Sequence, residues 1–288
     1  MILGIDSSGK TASVALIDQG VVLAEYQTNI GLTHSQTLLP MVAEIFSRTG
    51  HTADELEAIA VSSGPGSFTG LRIGAATAKG LALPYNIPLI EVSTLAGLAA
   101  NTTDLFNDVS NCSAVETTVY VHPIMDARRQ QVYTAAYHNN RLIGEEEAIG
   151  IDELIRRLNQ EDSNIHHLFL GDAVPVYKDY LVKNLTVPFR FAGPQNMLQR
   201  ASSIALLGEK ELALGNTVSS ADFRLSYIRK PQAEREKEAA GLREFDITHD
   251  APELLKKHNT EDRLQAQNYA IGDHNDNGYE DNTVPENL

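Results

Sequence analysis

Three short apolar segments open the chain, Ile2 to Asp6, Ala12 to Ile17 and Val21 to Thr28, and Asp18-Gln19-Gly20 between the last two has the composition of a tight turn. The pattern predicts an antiparallel meander of three strands. From His34 to Arg48 the period changes: Leu38, Leu39, Val42, Ile45 and Phe46 recur every three or four residues, as one apolar helix face requires. Ala58-Ile59-Ala60-Val61 is uninterruptedly apolar and reads as a buried strand, followed by the glycine-rich turn Gly64-Pro65-Gly66 and a helix for which Thr69 is the expected cap. A further strand, Pro88 to Val92, makes the sheet mixed, with helices covering it.

The helix after Thr69 is unusually small-sided. Gly70, Gly74, Ala78 and Ala82 fall four apart and line one ridge with almost no side chain. Such a ridge permits close approach by another element, which is either the chain's own sheet or a helix of a partner.

The second half repeats the plan in weaker form. Val121 to Arg129, Gln131 to Tyr137 and Arg141 to Glu147 again give strand, turn, strand, turn, strand, with Asn139-Asn140 at the second turn and Asp126 where Asp6 stands in the first copy. A helix from Asp152 to Leu158 and a strand from His167 to Leu170 continue the parallel. Helices within Ala201 to Leu214 and a return through Ser226 to Ile228 would close the structure. Two β-β-β-α-β units are the plan of actin-like, ribonuclease H-like ATPase domains. The expected division is an N-terminal subdomain over 1–105, a C-terminal subdomain over 106–241 and an acidic, largely disordered tail over 242–288.

Composition narrows the function classes. The 288 residues carry a formal charge of −15, which argues against a surface built wholly to clamp a nucleic acid. From Glu234 to Leu288 fourteen acidic side chains face six basic ones, so the tail is the more acidic part per residue. Its last stretch, from Gly272 to Asn282, loosely follows a calcium loop but lacks the closing Glu and flanking helices. No window approaches the roughly 18 apolar residues of a membrane span, and the first residues lack a signal-peptide pattern, so a cytoplasmic protein is expected. Cys112 is the single cysteine, which leaves no intramolecular disulfide and no cysteine-based metal cluster.

Gly4-Ile5-Asp6-Ser7-Ser8-Gly9-Lys10-Thr11 satisfies the spacing of a P-loop, but a P-loop needs its Lys and Thr at the start of a helix. Here Ala12 to Ile17 alternates as a strand. The turn Asp6-Ser7-Ser8-Gly9-Lys10-Thr11 is instead a hairpin of the kind that wraps phosphate in actin-like ATPases. Its second-half counterpart, Ala127-Arg128-Arg129-Gln130-Gln131, has no glycine, so an amide cradle is hard to form there. His34 with Ser35 has no acid at a useful spacing and reads as a helix start, and His166-His167 heads a strand. Lys10, Arg72, Lys79, Arg128 and Arg129 fall at turns and helix surfaces near the expected cleft.

GPGSFTGLRIGAATAKGLA, with the opening ILGIDSSGKTASVALID and the later LSYIRKPQAERE, resembles the bacterial TsaB family, also called YeaZ, from Met1 to about Gly241. The resemblance implies the actin-like fold and a non-catalytic scaffold subunit in making the threonylcarbamoyladenosine modification of tRNA. It implies TsaD as heterodimer partner and the ATPase TsaE in a larger complex, with tRNA contacted indirectly, a homodimer as a further form, and no membrane. It places the partner interface at Leu38, Val42, Ile45, Gly70, Gly74 and Ala78, and makes Asp6, Ser7, Ser8, Gly9, Lys10 and Thr11 a vestigial nucleotide turn. TsaD holds a metal with two histidines four apart after the strand that follows this helix; Thr94 and Leu98 stand there, and a Leu cannot coordinate. No catalytic residue, metal or cofactor is therefore expected. The alternatives are an independent actin-like ATPase or sugar kinase, which would need an intact second phosphate hairpin, and a partner-directed protease, for which no nucleophile-base-acid set is visible.

Overall fold

The computed structural model of the chain describes residues 1–102 and 118–228. The expected boundary at 105/106, Cys112 and the acidic tail lie outside the described residues.

The first sheet begins as the alternation predicts. β1 (Ile2–Asp6), β2 (Ala12–Asp18) and β3 (Val21–Thr28) form the antiparallel meander, with Gln19 and Gly20 at φ 47° and 78° in the turn. After α1 (His34–Thr49), β4 (Ala58–Gly64) pairs parallel with β1; after α2 (Phe68–Ala82), β5 (Leu89–Ser93) pairs parallel with β4. The order is β3-β2-β1-β4-β5. α3 (Thr94–Ala100) follows at once, with the Ser93 hydroxyl capping it by accepting from the Ala96 amide at 3.2 Å.

The second sheet has the same topology. β6 (Thr118–Asp126), β7 (Gln131–His138) and β8 (Arg141–Gly150) form a meander, α4 (Ile151–Leu158) precedes β9 (Ile165–Leu170), and α5 (Val174–Asn184) precedes β10 (Phe189–Phe191). β9 pairs parallel with β6 and β10 with β9, giving β8-β7-β6-β9-β10. This duplicated mixed sheet is the actin-like, ribonuclease H-like arrangement. The last described helix is α6 (Ala201–Ala213).

Helix coverage ties the halves together. On the first sheet α1 and α2 bury one face through Leu38, Val42, Ile45, Ala75 and Ala78, packed on Leu3, Ile5, Val14 and Ile59. Its other face is covered by α6, where Ile204 and Ala205 meet Ile2, Ile17, Ala58 and Ile90. The second sheet takes α4 and α5 on one face and, on the other, Leu95, Leu98 and Ala99 of α3 against Val121, Met125, Ala135 and Leu168. Each half thus lends its last helix to the other's sheet, so the expected C-terminal subdomain gives α6 to the N-terminal one. Glu25 on β3 reinforces this exchange: it accepts from the Ser202 amide (3.0 Å) and hydroxyl (2.7 Å) at the start of α6 and pairs with Arg200.

One expectation needs correction. The helix cap is Ser67, whose hydroxyl accepts from the Gly70 amide at 3.3 Å, while Thr69 is exposed in the first turn. The returning chain bridges Val218 to Leu89 on the outer edge of β5, and the Ser226 amide donates to Ser63 O at 2.8 Å.

Candidate functional site

The hairpin between β1 and β2 is where a phosphate would sit in an actin-like ATPase, and the fold turns it inward. Asp6, Ser7, Ser8 and Thr11 are at most 1% exposed. Asp6 accepts at Oδ1 from the Ser8 amide (2.9 Å) and hydroxyl (2.6 Å), and burial pushes its carboxyl above the usual range against the pull of those bonds. The Ser7 hydroxyl donates to Gly70 O at 2.9 Å, Ser8 O accepts from the Ser67 amide at 2.6 Å, and Gly9 O meets His34 Nε2 at 2.9 Å. The start of α2 and the start of α1 therefore hold the turn from two sides.

The small ridge exists to allow that contact. A Cβ on Gly70 would overlap Ser7 O, and a Cβ on Gly74 would overlap Ser7 Oγ. Ala78, fully buried, continues the ridge in the core. Gly70, Gly74 and Ala78 thus face the chain's own turn and sheet, not outward as the family resemblance led us to expect. The same correction applies to Leu38, Val42 and Ile45, which are 1%, 2% and 0% exposed in the core under α1. Leu39, expected on that apolar face, is 56% exposed, because the core takes the narrower stripe through residues 38, 41, 42 and 45. The outward faces carry other residues: Leu39, Ala43 and Ser47 on α1, and Thr69, Arg72, Ala76 and Gly80 on α2. A Cβ at Gly80 would meet nothing within 4 Å.

A long-range group closes the turn. Gln199, 1% exposed, lies against Gly9, and both atoms of its amide lack a hydrogen-bond partner among the described residues, as does Thr11 Oγ1. Nothing local in the sequence announces this residue, since it stands 190 positions from Gly9. Thr94 and Leu98 are 0% and 1% exposed, with Leu98 in the core between α3 and the second sheet.

The second hairpin shares the bond from its leading Asp to the amide two residues on, and differs in backbone and exposure. Arg128, Arg129 and Gln130 all lie in the left-handed region, at φ 61°, 54° and 58°, and all three are exposed. The conformation is fixed by its surroundings: the Arg128 amide donates to Asp126 Oδ1 (2.8 Å), Ala127 N to Gln131 O (3.0 Å), Gln131 N to Arg128 O (3.1 Å) and Ile151 N to Gln130 O (3.0 Å). Asp126 N in turn donates to Asp172 Oδ1 at 3.1 Å. Burial raises the Asp172 carboxyl, and Lys10 lies near enough to draw it down in part. The turn therefore forms without glycine, while three of its amides are engaged within it.

The remaining candidates are accounted for locally. Arg72 stacks its guanidinium 3.8 Å above Phe68, and Lys79 donates to Phe223 O at 3.1 Å. His34 is the first residue of α1. His167 is inside β9 with His122 on the adjacent β6, ring nitrogens 3.0 Å apart, and burial lowers them to about 4 and about 3. Glu146 of β8 accepts from Tyr137 (2.8 Å) and from Ser93, joining the two halves. No helix among the described residues is long and apolar enough to cross a membrane.

Comparison with known proteins agrees with this architecture. The family model described as TsaD, tRNA N6-adenosine threonylcarbamoyltransferase, matches residues 25–236. The tRNA threonylcarbamoyladenosine biosynthesis protein TsaB of Bacillus subtilis (strain 168) is 34% identical over 217 residues, covering 74% of this chain and 89% of that protein. TsaB of Haemophilus influenzae is 27% identical over 235 residues, covering 79% and 93%. A solved structure of YeaZ from Pseudomonas aeruginosa matches with a TM-score of 0.61 at 26% identity, covering 78% of this chain and 98% of that one.

Proposed function

The chain belongs to the TsaB (YeaZ) family of tRNA threonylcarbamoyladenosine biosynthesis proteins, and on that premise we propose that it serves as the non-catalytic scaffold subunit that pairs with TsaD in the cytoplasm and supports transfer of the threonylcarbamoyl group to tRNA adenosine. One observation carries the reading: Asp6, Ser7, Ser8 and Thr11 of the hairpin that would hold a phosphate are buried, and the Ser8 and Gly9 carbonyls are bonded to the start of α2 and to His34 of α1. A nucleotide-hydrolysing relative needs that hairpin open. Thr94 and Leu98, where TsaD carries its metal-binding histidines, sit in the core and offer no coordinating pair. A protease reading lacks support, since His34 Nε2 faces the Gly9 carbonyl and its Nδ1 makes no hydrogen bond to an acid among the described residues.

The partner surface in this proposal is the outward side of the same two helices. α1 presents Leu39 and Ala43 and α2 presents Ala76 and Gly80, so a facing pair of helices could approach closely over apolar and small side chains. TsaE joins the complex, and homodimerisation would compete for the same surface. Reconstitution tests the function. TsaD with TsaE, ATP, a threonylcarbamoyl donor and a tRNA transcript should modify the tRNA only when this chain is added, and this chain with the donor and tRNA alone should transfer nothing. Full transfer without it, or transfer by it alone, contradicts the reading.

A further inference from the structure

We propose that the β6–β7 turn, with Arg128 and Arg129 at its tip and Lys10 beside it, is a contact site for the phosphates of the tRNA. The proposal rests on the accessory-subunit reading, which brings the RNA to this complex.

Three observations converge. Side-chained residues avoid the left-handed region, yet three in succession occupy it here, and the bonds from Asp126, Gln131 and Ile151 hold them there. The tip so held carries two exposed arginines whose guanidinium groups make no ion pair or hydrogen bond among the described residues. Arg48, Arg156, Arg157 and Arg200, by contrast, are all paired with glutamates. Lys10, at the tip of the other hairpin, is exposed and close enough to act on the carboxyl of Asp172, which accepts from the Asp126 amide, so a third cation lies near the turn. The facing carboxylates, Asp126 and Asp172, each have an oxygen engaged by a backbone amide. Guanidinium groups free of protein partners suit the forked contact that phosphate oxygens accept. On a chain with a net charge of −15, such a site contributes locally, within the complex, to RNA binding.

The test uses the full chain assembled with TsaD and a tRNA transcript, with binding followed across a salt series. The double variant Arg128→Gly, Arg129→Gly removes both charges while giving the turn residues that tolerate its conformation, so melting temperature should stay equal or rise. TsaD pairing should be unchanged. Affinity for tRNA should fall about tenfold near physiological salt, and the slope of log affinity against log salt should shrink by about 2. The Arg128→Lys, Arg129→Lys variant should keep most of the slope. An unchanged slope in the glycine variant overturns the site, as does a loss confined to TsaD pairing, which would make the turn a protein contact. A wild-type chain that fails to pair with TsaD at all is a separate result, and it removes the accessory-subunit reading on which this one stands.

Discussion

The two hairpins that end β1 and β6 occupy equivalent places in duplicated sheets and have gone opposite ways. The first has a glycine- and serine-containing sequence whose Asp6, Ser7, Ser8 and Thr11 are buried, with the Ser8 and Gly9 carbonyls bonded to the starts of α2 and α1. The second has no glycine, is exposed and holds three side-chained residues at positive φ. A turn of small residues can thus serve as a packing element when a helix with Gly70 and Gly74 lies on it, and a turn without glycine can form when side chains and neighbouring elements fix its backbone.

The sharpest way to break the comparison is to fill the first turn's contact. Gly70→Val puts a branched side chain where even a Cβ overlaps Ser7 O, and the turn and helix must separate. Thermal or urea unfolding should show a loss of about 3 kcal/mol or more. Gly80→Ala, on the open face of the same helix, should instead stabilise by about 0.5–1 kcal/mol. Equal effects at both positions would mean the ridge is not what holds the turn.

The halves should also differ in acid. His122 and His167 are buried in the second sheet, while the position of Ile2, four before Asp6 as His122 is four before Asp126, is apolar in the first. Burial holds both histidines below the ordinary value, so the unfolded chain binds more protons than the folded one between about pH 6.5 and about pH 4. Their full contribution is present above pH 6.5 and is lost as pH falls through that window, about 2 kcal/mol or more by pH 5. His122→Leu should flatten the dependence in urea melts taken across this range. A wild-type profile already flat between pH 7 and pH 5 would contradict the account.

The smallest expected effect sits in the second turn. Arg128→Gly relieves one left-handed residue and should raise stability by up to about 1 kcal/mol, whereas Gly9→Ala in the first turn pushes against the Gln199 amide and should lower it. Differential calorimetry of the two variants separates them by sign.

The strands other than β10, both meanders and α1 were legible in the sequence because alternation and helical periodicity report burial directly. What periodicity cannot report is which neighbour does the burying. The spacing of Gly70, Gly74 and Ala78 indicated a close approach but not that the approaching element was the chain's own turn, and an amphipathic face such as Leu38, Val42 and Ile45 goes first to its own core. Gln199, Asp172 and the Glu25 contact to α6 were invisible because their partners are far away in sequence. The glycine rule failed at Arg128 to Gln130 for the same reason: Asp126, Gln131 and Ile151 fix the backbone from outside the residues themselves.

The central claim, that this chain works by docking the outward side of α1 and α2 on TsaD while the inward side locks its own hairpin, is tested most directly by placing one charge on each side of α2. Ala76→Arg, on the exposed face, should leave the melting temperature unchanged and weaken TsaD binding at least about a hundredfold, or ~2.8 kcal/mol. Ala78→Arg, in the core, should unfold the chain. A stable Ala76→Arg chain that binds TsaD as tightly as the wild type would remove this face from the interface and contradict the account.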